Sequence, residues 1–183
     1  MSPSPWQMSL RQLLEQPTLQ RSNPPRIAVL GVGNTFRSDD AAGVLAARRL
    51  ADSPLTQELD FLLVVDAGHA PENTTAELRR FKPEVILLID AAEMGEEPGT
   101  IRWLGIDQVD GMSASTHTLP LSMFAKYVTL ELGCEVKILG IQPQSTEIGE
   151  MVSDPVLQAV DGILNEILDS LQARTALGPE SLN

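Results

Sequence analysis

The chain has 183 residues, with 13 Lys+Arg against 25 Asp+Glu and a formal net charge of −12. That balance excludes nucleic-acid binding as its main activity, because counterion release needs clustered bases. The single cysteine, Cys134, excludes internal disulfides, CxxC redox pairs and multi-cysteine zinc or iron–sulfur sites. At this length one domain can bury roughly 70% of its unfolded surface.

Residues 1–25 are rich in Ser, Pro and Gln and end in Asn23-Pro24-Pro25, which fixes extended backbone before the first apolar run. They are expected to be an N-terminal extension with one short helix, lying outside the body. The α/β domain is expected over 26–172, with a tail over 173–183. The first residues lack a basic stretch followed by an apolar core, so no signal peptide is expected. No apolar run approaches the ~18 residues of a membrane span. With one cysteine, the expectation is a cytoplasmic protein that engages no membrane.

Ile27–Val32 is a continuous apolar run containing glycine, the mark of a strand buried on both faces. An Ala- and Leu-rich helix is predicted over Asp40–Leu50, with Ser38, Asp39 and Asp40 as cap candidates. Phe61–Val65 and Val85–Ile89 read as further buried strands. Between them Thr74-Thr75-Ala76-Glu77 has capping-box spacing and predicts a short helix ending before Lys82-Pro83. Thr100–Ile106 alternates after Pro98-Gly99 and predicts an antiparallel edge strand. A helix over Leu119–Leu132, a strand over Val136–Ile141 and a last helix opened by Asp154-Pro155 complete the pattern. Strands alternating with helices predict an α/β three-layer sandwich around a mostly parallel twisted sheet, with helices on both faces.

The acids fall at informative places. Asp39 and Asp40 follow the first strand, Asp66 ends the second and Asp90 ends the third. In open α/β sheets ligands bind outside the carboxyl ends of the strands, so these carboxylates share the edge where a site is expected. Gathered carboxylates repel one another unless a cation or donors compensate. His117 lies in a polar loop entering a helix. Two carboxylates and one imidazole make an open set acceptable to nickel, zinc or iron. The competing reading makes Asp40 and Asp66 caps of helices or turns and His117 a surface residue. A carboxylate dyad of Asp40 and Asp90 is a further alternative.

Other chemistries fare less well. Gly31-Val32-Gly33 opens like a dinucleotide fingerprint, but Phe36 stands at the third glycine position, where a bulky ring removes the close strand–helix approach. Asp39 and Asp40 would also repel a pyrophosphate. No GxSxG elbow exists, and Cys134 precedes Glu135, an acid that disfavours thiolate.

The ordered set Gly31-Val32-Gly33-Asn34, Ser38-Asp39-Asp40-Ala41-Ala42-Gly43, Asp66-Ala67-Gly68-His69-Ala70-Pro71-Glu72-Asn73, Ile89-Asp90-Ala91, Thr116-His117-Thr118-Leu119-Pro120-Leu121 and Gly140-Ile141-Gln142-Pro143 resembles the hydrogenase maturation endopeptidases. The similarity runs over about residues 26–172 and is strongest to the branch that processes formate-hydrogenlyase-type large subunits. The resemblance implies a cytoplasmic endopeptidase that removes a C-terminal extension from a nickel-loaded [NiFe]-hydrogenase large-subunit precursor, working as a monomer.

It also implies that Asp40, Asp90 and His117 are both catalytic and metal-binding. Nickel would be presented by the substrate, and zinc would be able to take the site in vitro. Asp39, Asp66 and His69 are candidate substrate contacts; His69 stands where the family is expected to carry a small residue, and is either a contact or ligand, or a loop histidine satisfied by neighbours. Ala41 replaces a glycine common after the acidic pair. A non-catalytic nickel carrier or maturation chaperone and a nucleotide-binding oxidoreductase are the alternative classes.

Overall fold

The computed structural model describes residues 3–15, 22, 24–112 and 119–176. Among these residues, five strands form one sheet in the order β2-β1-β3-β5-β4. They are β1 Ile27–Val32, β2 Leu62–Gly68, β3 Val85–Ala91, β4 Ile101–Leu104 and β5 Glu135–Ile141. β1 pairs in parallel with β2 and β3, and β3 with β5; β4 alone runs antiparallel, at the edge beside β5. The fold is thus the expected mostly parallel sheet with one antiparallel edge strand.

The helices are α1 Pro5–Glu15, α2 Ala42–Ala51, α3 Pro54–Gln57, α4 Thr75–Phe81, α5 Leu121–Leu132 and α6 Asp154–Ala176. α1, α2 and α6 cover one face, where Leu10, Leu14, Ala46, Leu50, Ile163 and Ile167 meet Ile27, Val29, Leu87 and Ile89. α4 and α5 cover the other, where Leu78, Phe124 and Val128 meet Leu30, Ile86 and Leu88. Every residue of β1 and β3 is buried, as their unbroken apolar runs require in a strand covered on both sides.

Three local expectations change. Thr74 does not cap α4 with its side chain; its hydroxyl donates 2.7 Å back to the Pro71 carbonyl, closing the 3-10 turn Pro71–Thr74 that leads into the helix. The helix within the expected extension, over residues 5–15, also does not lie outside the body. Leu10, Leu13 and Leu14 are buried in the same cluster as α6, because Leu-x-x-Leu-Leu spacing puts them on one helical face.

Polar bonds fix the α1–α6 seam. Arg11 pairs with Glu166 at 2.8 Å, and the Gln7 amide donates 3.2 Å to the same carboxylate. Arg174 donates to the Leu14 carbonyl at 3.0 Å and the Pro25 carbonyl at 2.8 Å, with its guanidinium 4.4 Å from the centre of the Phe61 ring. Burial draws that guanidinium below its ordinary pKa, against a raising influence from Glu84. α6 therefore runs past residue 172, where the tail was expected to begin, and its last turn belongs to the core.

Candidate active site

β1 lies between β2 and β3, so the connections leave it in opposite directions and a crevice opens at the carboxyl ends of β1 and β3. The 3-10 turn Ser38–Ala41 sits at this point and packs on β3. Two glycines allow it. A Cβ on Gly43 would lie 2.0 Å from the Ile89 carbonyl oxygen and 2.3 Å from that of Val32, and one on Gly33, at φ +141°, would lie 1.8 Å from the main-chain carbonyl oxygen of Asp40. The start of α2 therefore rests directly on the ends of both strands. The close strand–helix approach that Phe36 was expected to remove is supplied by Gly43, while Phe36 points into solvent.

This seating brings two of the expected residues to one place. Asp40 follows from the turn that abuts β3, and Asp90 follows Ile89, whose carbonyl Gly43 touches; both acids are fully buried. Asp90 is held in register opposite Gly140 of β5. The Asn34 N–H donates 3.1 Å to Asp40 Oδ2, and the Asp40 N–H closes the turn on the Arg37 carbonyl at 2.9 Å.

The other expected residues lie differently. Asp39 is fully buried but is turned to the loop before α6. Its Oδ2 accepts from the Gln144 N–H at 2.7 Å, the Ser145 N–H at 3.1 Å and the Ser153 hydroxyl at 2.9 Å, and its Oδ1 from the Ser153 N–H at 2.7 Å. The charge also sits at the N-terminal end of α6, where the helix favours it. Asp66 pairs with Arg48 of α2 at 2.7 Å and accepts from the Gly68 N–H at 3.0 Å. His69 is exposed just beyond β2. His117 lies outside the described residues.

Gln142, of the Gly140-Ile141-Gln142-Pro143 motif, organises the rim. Its side-chain oxygen accepts from the Met94 N–H at 2.7 Å and the Glu96 N–H at 3.2 Å, while its amide donates 2.7 Å to Glu93 and 3.1 Å to the Pro143 carbonyl. It thereby fastens the segment after Asp90 to the end of β5. The signal was an amide amid the apolar and proline residues of Gly140-Ile141-Gln142-Pro143. Cys134 is buried, its thiol 3.5 Å from the Val128 carbonyl, a packing environment remote from the crevice end of β5.

Residues 44–170 match the family model described as hydrogenase maturation protease. The chain belongs to the hydrogenase maturation proteases. It is 34% identical over 140 residues to the hydrogenase 3 maturation protease of Escherichia coli strain K12, an alignment spanning 76% of this chain and 86% of that one. The crystal structure of a [NiFe] hydrogenase maturation protease from Thermococcus kodakarensis KOD1 superposes with a TM-score of 0.72 at 31% identity, covering 80% of this chain and 92% of the other. The solution structure of an Escherichia coli endopeptidase gives 0.67 at 33%, covering 76% and 87%. This hydrogenase maturation protease is accordingly a peptidase, and α1, Asp39 and Asp40 precede the span matched by the family model.

Among the described residues no group of three or more His, Cys, Asp and Glu side chains is gathered to hold a metal ion. The expected ligand set is therefore represented there by two carboxylates, a donor pair that suits a hard or borderline cation but does not by itself make a complete site.

Proposed function

We propose that this protease removes the C-terminal extension of a nickel-loaded [NiFe]-hydrogenase large-subunit precursor, acting as a cytoplasmic monomer. The observation that supports this reading best is the burial of two acids, Asp40 and Asp90, in the turn after β1 and at the end of the neighbouring β3, at the switch point of the sheet. Among the described residues no helix is long and apolar enough to cross a membrane. In this reading nickel is part of the substrate: it supplies a cationic centre that marks a correctly loaded precursor.

Asp40, Asp90 and His117 bind and orient that centre, which relieves the repulsion between the carboxylates. The hydrolysis is of the aspartic type. A carboxylate at the crevice takes a proton from the attacking water as the new carbon–oxygen bond forms, and the proton passes to the departing amide nitrogen as the carbon–nitrogen bond breaks. Zinc and other divalent ions compete for the same donors in vitro, as expected of a set without thiolate. The acidic chain attracts the cationic centre, an effect that weakens with salt.

The test is the mass of the precursor after incubation. Nickel-loaded precursor is expected to lose a C-terminal peptide, while nickel-free precursor stays intact at the same enzyme concentration. Equal cleavage of both removes nickel as the recognition signal. Binding without any change of mass makes the protein a carrier and overturns the reading.

A further inference from the structure

Two loops beside Asp40 are fastened to each other. The Gly149 N–H donates 3.0 Å to the Phe36 carbonyl, Arg37 Nε donates 3.1 Å to the Thr146 carbonyl, and the Ser38 hydroxyl donates 2.9 Å to the Met151 carbonyl. The four bonds accepted by Asp39 anchor the same second loop at both ends. This stitching holds the backbones together yet leaves three large apolar side chains in water: Phe36 is 78% exposed, Ile148 78% and Met151 88%. A lone exposed apolar residue is ordinary. Three of them, on backbones bonded to one another, form the kind of patch that marks a protein contact. Phe and Met are also enriched where proteins meet.

We propose that residues 34–37 and 146–151 form the docking face for the folded large-subunit precursor. Phe36, Ile148 and Met151 are its apolar contacts, and Asp39 is the positioning residue that keeps the face in register with Asp40. The proposal rests on the precursor-processing reading above. The occupant is the precursor because the patch is continuous with the catalytic turn: the Arg37 carbonyl that follows Phe36 accepts the Asp40 N–H at 2.9 Å. A second copy seated there would cover the edge at which the scissile bond must enter. Glu147 and Glu150 belong to the same loop, so the precursor surface that fits is apolar with a basic rim. Loops already ordered by hydrogen bonds lose little freedom on docking.

The experiment compares the wild-type chain with the triple variant Phe36→Ser/Ile148→Ser/Met151→Ser. The control is Leu130→Ser, which removes an 86% exposed leucine from α5. Initial rates on nickel-loaded precursor give KM and kcat. Affinity for the same precursor is read by interferometry in an Asp90→Asn background, so that binding is measured whether or not cutting occurs.

The triple variant is expected to raise KM and Kd about tenfold or more, as the loss of central apolar contacts does, with kcat little changed and Leu130→Ser like wild type. Unchanged KM and Kd overturn the docking face and leave the protease standing. A wild-type chain that binds without cutting overturns the protease reading, and the comparison of Kd values still decides the patch. Loss of self-association in sedimentation at unchanged precursor Kd assigns the patch to a second copy and overturns the proposal. Asp39→Ala is expected to raise KM in the same way, with Asp39→Asn restoring part of the loss through its remaining carbonyl oxygen. A fall in kcat alone removes Asp39 from the face.

Discussion

Charged groups are buried both at the α1–α6 seam and at the edge proposed above to be catalytic, and they are held by different means. In the seam, Glu166 is met by Arg11 and Gln7, and Arg174 reaches the carbonyls of Leu14 and Pro25; long side chains cross between segments that leucines have already brought together. At the catalytic edge, Asp39 is held mainly by backbone N–H groups, and Asp40 and Asp90 are placed by glycine-mediated contact of a helix start with strand ends. The difference separates two kinds of substitution. Loosening the seam should lower stability and spare the chemistry, whereas altering Asp40 or Asp90 should stop the chemistry and spare the fold.

The largest effect tests the edge. Asp90→Asn, and equally His117→Ala, is expected to lower precursor cleavage by about 10²–10⁴-fold, the range of a lost acid–base group, while circular dichroism and melting show a folded chain. Normal cleavage by either folded variant would break the assignment of chemistry to this edge.

Next comes the seam. Leu14→Ala removes a fully buried side chain and is expected to destabilise the protein by about 2–5 kcal/mol in urea titration, with kcat of the folded fraction unchanged. Lost activity in a chain that still melts like wild type would mean that the seam feeds into the site and would blur the comparison.

A smaller loss sharpens it. Arg174→Ala withdraws one donor from each of two carbonyls, an effect of about 1–3 kcal/mol for polar groups left unsatisfied in the interior, again with cleavage retained. The smallest effect is that of Cys134→Ser. The thiol is buried in packing near Val128 and no step uses it, so cleavage and its resistance to thiol reagents should match wild type. Complete inactivation of the folded serine variant would point to a cysteine mechanism.

The strands were legible because burial on both faces writes itself as an unbroken apolar run: Ile27–Val32 and Val85–Ile89 were read within two residues of their observed ends. The edge strand was legible from its alternation, in which Ile101 is buried and Arg102 exposed. A short helix was expected within residues 1–25, but its packing on the body was not, because Ser, Pro and Gln dominate the composition; the spacing of three leucines carried that information. Of the site, the positions of Asp40 and Asp90 followed from where acids fall after strands.

What adjacency could not tell was that Asp39 and Asp40 face different neighbours. A 3-10 turn rotates successive side chains by roughly a third of a turn, so one carboxylate meets the loop before α6 and the other stays at β3. Asp66 was grouped with them by the same rule of strand ends, but its partner Arg48 comes from α2, a contact set by how that helix lies on the sheet.

The pairing of α1 with α6 joins residues some 155 positions apart, as in the bond between Arg11 and Glu166. During synthesis at roughly 5–20 residues per second, α1 leaves the ribosome about eight to thirty seconds before its partner exists. For that interval Leu10, Leu13 and Leu14 have no α6 to rest on, and the sheet must assemble with one of its covering layers incomplete. The nascent chain is therefore most open to capture by holding chaperones, or to aggregation, at its very first helix, and closure of the seam is a late event in the making of each molecule.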